Sequence, residues 1–234
     1  MTPGMQYVFE GFTDEAGRQI PHSIIFTVTD LIKEVAGVRT VVAYILDYSD
    51  GDLVEAEIAF YAQDNDGNVW FMGEYPEVYE LGKLVEAPSW IPGFKGAKAG
   101  IVMKADPQPG LPSYAQGWGP AVNWNDRGRV VDVGQNVCVP VDCYEEVLVI
   151  EEFSQSEPDA FQVKYYAPGV GNIKVGWRGA DASKETLELT ALTELSPETL
   201  AEVRAAALAL EQSALKNSKE VYAETPPLEQ MLPK

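Results

Sequence analysis

The chain has 234 residues, 46% of them apolar and 23% charged, with 20 Gly, 16 Pro and 10% aromatics. That is the make-up of a packed globular protein, not of a disordered or collagenous one. Seventeen Lys and Arg stand against thirty-six Asp and Glu, a formal charge of −19 spread along the chain. Such a surface is well hydrated and repels polyanions, so nucleic acid and anionic lipid are not expected as partners for want of clustered cations. No apolar run reaches the roughly 20 residues of a transmembrane helix, and no membrane insertion is expected.

Residues 6–84 read as an antiparallel meander. Strands are predicted over 6–13, 24–29, 40–47, 53–63 and 69–74, rich in Val, Ile, Tyr, Phe and Thr and separated by turn residues. In the fourth, Val54, Ala56, Ile58, Phe60 and Ala62 share one face while Glu55, Glu57 and Gln63 share the other, so the sheet is expected to have one wet side. The Asp-Gly pairs in 49–52 and 64–68 suit narrow hairpin turns. Their clustered oxygens also suit calcium, but an EF-hand needs glycine sixth and glutamate twelfth, and here Gly67 is fourth from Asp64 and Tyr75 twelfth. The two turns lie at opposite ends of one strand, roughly 33 Å apart, so they cannot share an ion. Turn chemistry is preferred, and no metal site is expected.

Residues 87–128 are dense in Pro and Gly yet carry Trp90, Phe94, Tyr114, Trp118 and Trp124. Disordered segments are poor in such rings, so the stretch reads as a long ordered loop lying over the sheet, the place to look for a binding surface. Cys138 and Cys143 flank Val-Pro-Val-Asp, where Pro140 and Asp142 favour a tight reversal. The simplest use is a structural disulfide across a hairpin, implying an oxidising compartment, and the alternative is two buried free thiols. A second β block follows over 130–133, 143–153, 161–166, 171–177 and 186–195. Ser196, Pro197 and Glu198 then suit the cap, first position and first turn of a helix over 196–217. Leu200, Val203, Ala207, Leu210 and Ala214 form its apolar stripe. Pro226, Pro227 and Pro233 mark residues 218–234 as an extended tail.

The rare residues restrict the chemistry. With one histidine, His22, and two cysteines, a four-ligand zinc site cannot be assembled. Any Ser-His-Asp or Cys-His arrangement would have to use His22, at the mouth of a strand. There is no nucleophile elbow, and Gly169-Val170-Gly171 lacks the third glycine and following helix of a phosphate loop. No catalytic residue and no cofactor are predicted. The N-terminus lacks a charged head and apolar stretch, which leaves a cytosolic protein or a mature form whose export signal has been cleaved, and the abrupt start within folded sequence favours the second.

The segments Phe60-Tyr-Ala-Gln-Asp-Asn-Asp-Gly-Asn-Val-Trp-Phe-Met-Gly-Glu74, Gly96-Ala-Lys-Ala-Gly-Ile101 and Lys164-Tyr-Tyr-Ala-Pro-Gly-Val-Gly171 together resemble a widespread group of uncharacterised exported bacterial β-rich proteins. The likeness runs from about residue 2 to residue 177 and implies export, periplasmic or extracellular, and a β fold. It brings no activity or cofactor with it. The last segment is also similar to the closing hairpin of periplasmic carriers of lipoproteins, a likeness at the level of fold alone.

The fold expected is mainly β: an antiparallel curved sheet or open β-barrel, one domain over 1–217, with the C-terminal helix packed on it. The function expected is a non-catalytic, exported binding protein holding a small apolar molecule or a glycan in that sheet, with Trp90, Tyr114, Trp118 and Trp124 as contacts. The alternatives are a glycosidase-like hydrolase using Glu74 and Glu77 or Glu151 and Glu152, and an assembly protein using the terminal helix or tail.

Overall fold

The structure is a computed structural model that describes residues 1–231, leaving Pro233 outside the described residues. The strands are β1 (Met5–Glu15), β2 (Arg18–Val35), β3 (Val38–Ser49), β4 (Asp52–Gln63), β5 (Val69–Glu80), β6 (Lys83–Glu86), β7 (Lys98–Met103), β8 (Tyr114–Ala115), β9 (Gly117–Trp118), β10 (Asp126–Cys138), β11 (Cys143–Ser154), β12 (Ala160–Ala167), β13 (Gly171–Gly179), β14 (Thr186–Glu194) and β15 (Glu229–Gln230). Among the described residues there is one α-helix, α1, spanning Pro197–Asn217. All strands belong to one antiparallel sheet in the order β8-β10-β11-β12-β13-β14-β1-β2-β3-β4-β5-β7-β9. β6 pairs with β5, and β15 with β2.

Hairpins build most of this order, and turn chemistry places them. At Asp50-Gly51 both φ angles are positive, 51° and 88°, the geometry of a two-residue turn that matches the twist of the flanking strands. The chain's first and second β blocks meet where β1 pairs β14, Phe9 opposite Leu189. The two ends of the path, β8 and β9, are consecutive in sequence. They pair outward to β10 and β7 through two residue pairs each, so the sheet curls far round but stays an open curved sheet and not a closed barrel.

The helix covers one face of one half of it. Ser196 caps α1 by accepting from the Thr199 amide, with Pro197 in the first turn. Ala207, Leu210 and Ala214 then pack on Leu31, Val42, Ala56, Ile58 and Phe60, the small alanines allowing close approach. Glu77 fastens this contact: it accepts from the Tyr75 and Tyr79 hydroxyls at 2.7 and 2.5 Å and from Ser213 of the helix. The stretch after Asn217 turns back over the helix–sheet junction. Tyr222 is fully buried beside Phe60 and Tyr75, and β15 takes up a free edge of β2 opposite Leu31 and Ile32.

Candidate functional site

Because α1 occupies the Ala56–Ile58–Phe60 face, the opposite face of β4 lines the hollow of the curved sheet. Cross-strand registers carry that inner face across the molecule: Phe9, Ile24, Asp47 and Glu55 form one row, and Tyr7, Phe26, Ile45 and Glu57 the next. Ala59 sits opposite Ala43 and Glu74. From the other direction Ile150, Lys164, Val175 and Leu187 complete the ring. The alternation read from β4 is correct, but its wet side is enclosed by the sheet itself.

One end of this hollow is strongly acidic. Glu57 and Glu74 are diagonal neighbours on the inner face of β4 and β5, close enough for each carboxyl to act on the other's proton. Burial, then the neighbouring Glu74 and Glu55 charges, raises the Glu57 carboxyl well above its ordinary value. Burial also lifts Glu74 to about 7, although Glu57 and the Trp90 Nε1–H, which donates to its Oε1 at 2.8 Å, act to lower it. Glu55 rises to about 7 by burial and by the charges of Glu74 and Asp47. Across the hollow Lys164 pairs with Glu152 at 2.5 Å. Burial alone would lower its pKa, but the Glu152 charge and hydrogen bond reverse that and raise it. Glu152 also accepts from Gln116 at 2.6 Å.

At the mouth on the same end, His22 is held between two carboxylates, Nε2 2.7 Å from Asp47 and Nδ1 3.0 Å from Glu185. Burial opposes the charge, but the Asp47 and Glu185 hydrogen bonds outweigh it and raise His22 to about 9. The charged ring is hydrogen-bonded through Nε2 to Asp47 and ion-paired through Nδ1 with Glu185, and the residue is a clamp between β2, β3 and the residue before β14 rather than a general base at neutral pH. Gln162 donates to Glu185, and its cross-strand partner Trp177 is 41% exposed at this mouth with Lys184 5.6 Å from its ring.

The rings singled out by sequence do not form one surface. Trp90 is only 2% exposed and stacks on Trp124 at 4.7 Å, with Phe71 edge-on to both. Gly117 has no room for a side chain: a Cβ would stand 2.4 Å from Trp124 and 2.7 Å from Trp90. The cleft beside this stack, between Ser89, Phe94, Ala97, Gly119 and Val221, holds about 10 Å³, scarcely a water. Tyr114 is half-buried against Val130, Leu148 and Ile150 with Lys104 4.6 Å from its ring, and Trp118 is 40% exposed. A second cleft, between Ile32, Glu34, Arg39 and Pro226, holds about 60 Å³, far below a usual ligand pocket.

The carboxylate pairs considered from sequence are split by the pleat. Glu74 points into the hollow while Glu77 faces α1. Glu152 points inward while Glu151, fully buried on the outer face, pairs with Arg129 at 2.5 Å and with Arg178. Glu74's true neighbour is Glu57, missed because the two lie on different strands. Cys138 and Cys143 form a disulfide, Cα atoms 3.9 Å apart. Asp64 is consumed by its own turn, accepting from the Asp66 and Asn68 amides and the Trp70 indole, with its pKa held down to about 2 chiefly by Trp70 and Asn68. No group of three or more metal-ligating side chains occurs among the described residues, and no helix among them is long and apolar enough to cross a membrane.

No protein family's model matches the chain, and no curated protein matches it. Among solved structures it is similar to a candidate lipoprotein of Parabacteroides distasonis, 11% identical, over 82% of this chain and 96% of that one, with a TM-score of 0.40. So loose a likeness carries no argument about fold or function.

Proposed function

We propose that this chain is an exported, non-catalytic binding protein that holds a small hydroxyl-rich ligand, of glycan type, at the acidic end of the hollow. The observation that carries this reading is the Glu57–Glu74 carboxyl pair on the inner face, beside Glu55 and opposite Lys164. Folding does not require those groups: apolar side chains would fill the hollow without the desolvation cost. Perturbed acids concentrated in a concavity are the usual mark of a site. Carboxyls that keep a proton both donate and accept, as the amides of Gln116 on Glu152 and Gln162 on Glu185 do, which suits hydroxyls better than an alkyl chain. The exposed ring of Trp177 at the same mouth supplies an apolar platform for a sugar face.

Export is supported by the disulfide, which persists in oxidising compartments, and by the resemblance to exported β-rich proteins. A glycosidase is less well supported. Its two carboxyl groups stand about 5 to 10 Å apart with the scissile bond between them, whereas Glu57 and Glu74 are diagonal neighbours that act on each other's protons. The test is calorimetric titration of neutral oligosaccharides into the protein and into Glu57→Gln, Glu74→Gln and Trp177→Ala variants. Binding that weakens at least tenfold in each variant is expected. Binding indifferent to all three would reject this site.

A further inference from the structure

We propose that the tip of the β10–β11 hairpin, residues 137–144, is a hinged lid on the apolar mouth of the curved sheet, the end opposite the carboxyl pair. It rests on the reading of the hollow as a chamber, but its test needs no ligand. β11 begins at Cys143 while its ladder to β12 begins only at Leu148, so the last part of the hairpin projects past the sheet. The projecting part bends back: Val137, Val139, Val141 and Tyr144 pack against the cluster of Phe9, Ile173, Val175, Leu187 and Leu189, whose side chains line the apolar half of the hollow.

What holds the tip is as informative as where it lies. Among the described residues, no side-chain hydrogen bond or ion pair joins 133–147 to any part of the fold outside β10 and β11, and its only strand partner in register is within that hairpin. Its side chains hold to the rest of the fold by apolar contact, which is non-directional and lets elements part without breaking specific bonds. Within itself the tip is tied, by the Cys138–Cys143 disulfide and by the Val139 amide donating to the Asp142 carbonyl at 2.9 Å.

Between the tied tip and the sheet lies an irregular stretch. Three register shifts fall between Val130 and Val137, and Gly134 and Glu146 both take positive φ, 69° and 54°. Bulges and left-handed residues on both strands at one level interrupt the ladder and bend it, the place where a rigid tip would swing. Opening there exposes the Phe9, Ile173 and Leu189 floor while leaving the acidic end and the α1 face intact.

Native-state hydrogen exchange of the full chain in low urea tests this. Hinge amides at 133–136 and 145–147 are expected to exchange through an opening with little urea dependence, ahead of β3 and β4. A Val139→Asp/Val141→Asp variant should speed that exchange at least tenfold and at least double the fluorescence of added N-phenyl-1-naphthylamine, with β2–β5 and α1 protection unchanged. If the hinge amides of the native protein follow the same urea dependence as β3 and β4, the hairpin is part of the core and the lid is refuted. Unchanged hinge exchange in the variant would equally refute it.

Discussion

Replacing Glu74 by Gln should make the protein more stable at neutral and alkaline pH. The glutamine keeps the shape of the site: its carbonyl can accept from the Trp90 indole as the carboxyl oxygen does now at 2.8 Å, and its amide can donate to Glu57. What it removes is an acid whose pKa is lifted from 4.5 to about 7 by burial. The folded protein then holds a proton that the unfolded chain has released, so the native state loses stability as pH rises from 4.5 to 7, and the loss is level above that. The interval corresponds to about 3 kcal/mol. The variant should match the native protein near pH 4.5 and exceed it by up to about 3 kcal/mol at pH 8, a thermal midpoint about 6 °C higher for a chain of this size. Scanning calorimetry at pH 4.5, 6, 7 and 8 measures both curves. A variant no more stable than the native protein at pH 8 would refute the reasoning.

Three further outcomes follow from single contacts. The His22 imidazole, raised to about 9 by Asp47 and Glu185 against the effect of burial, should stabilise the fold fully below pH 6.5 and lose that contribution as pH climbs to 9. An NMR titration of the ring should centre near 9, and a midpoint below 7 would remove the clamp. Tyr222→Ala deletes a fully buried ring set between Phe60, Tyr75 and the Lys33 ammonium, and urea unfolding should show a loss of about 4 kcal/mol. Gly117→Ala drives a methyl into Trp90 and Trp124. It should cost about 1–3 kcal/mol and alter the near-ultraviolet circular dichroism of the stacked indoles.

Local rules carried the reading of the fold a long way. The Asp-Gly turns, the Ser196–Pro197 helix start and the Cys138–Cys143 hairpin are all set by neighbours in sequence, and all are present. Strand lengths were less legible. β2 runs from Arg18 to Val35 because Pro21, Asp30 and Lys33 interrupt its apolar run without ending its pairing. Residues 87–128 read as loop because β7, β8 and β9 within them are only two to six residues long, and only the pairings of β7 to β5, β8 to β10 and β9 to β7 make them strands.

The candidate site was legible only in part. Alternation in β4 put Glu55 and Glu57 on a common face, but whether that face meets solvent or a hollow depends on which side α1 covers. The Glu57–Glu74 contact depends in turn on the β4–β5 register, which includes a bulge between Ala59 and Tyr61. The aromatic residues were visible as a group, yet their division into a buried Trp90 with half-buried Trp124 stacked on it and the exposed Trp118 is set by the bare backbone of Gly117 and Gly119 against the Trp90 ring.

The most direct measurement of the central claim is a carboxyl carbon NMR titration of glutamate-labelled protein, assigned with the Glu57→Gln and Glu74→Gln variants. One member of the pair should titrate near pH 7 and the other well above the ordinary glutamate value. Two midpoints below pH 5 would mean ionised, separated and solvated carboxylates, and would contradict the chamber.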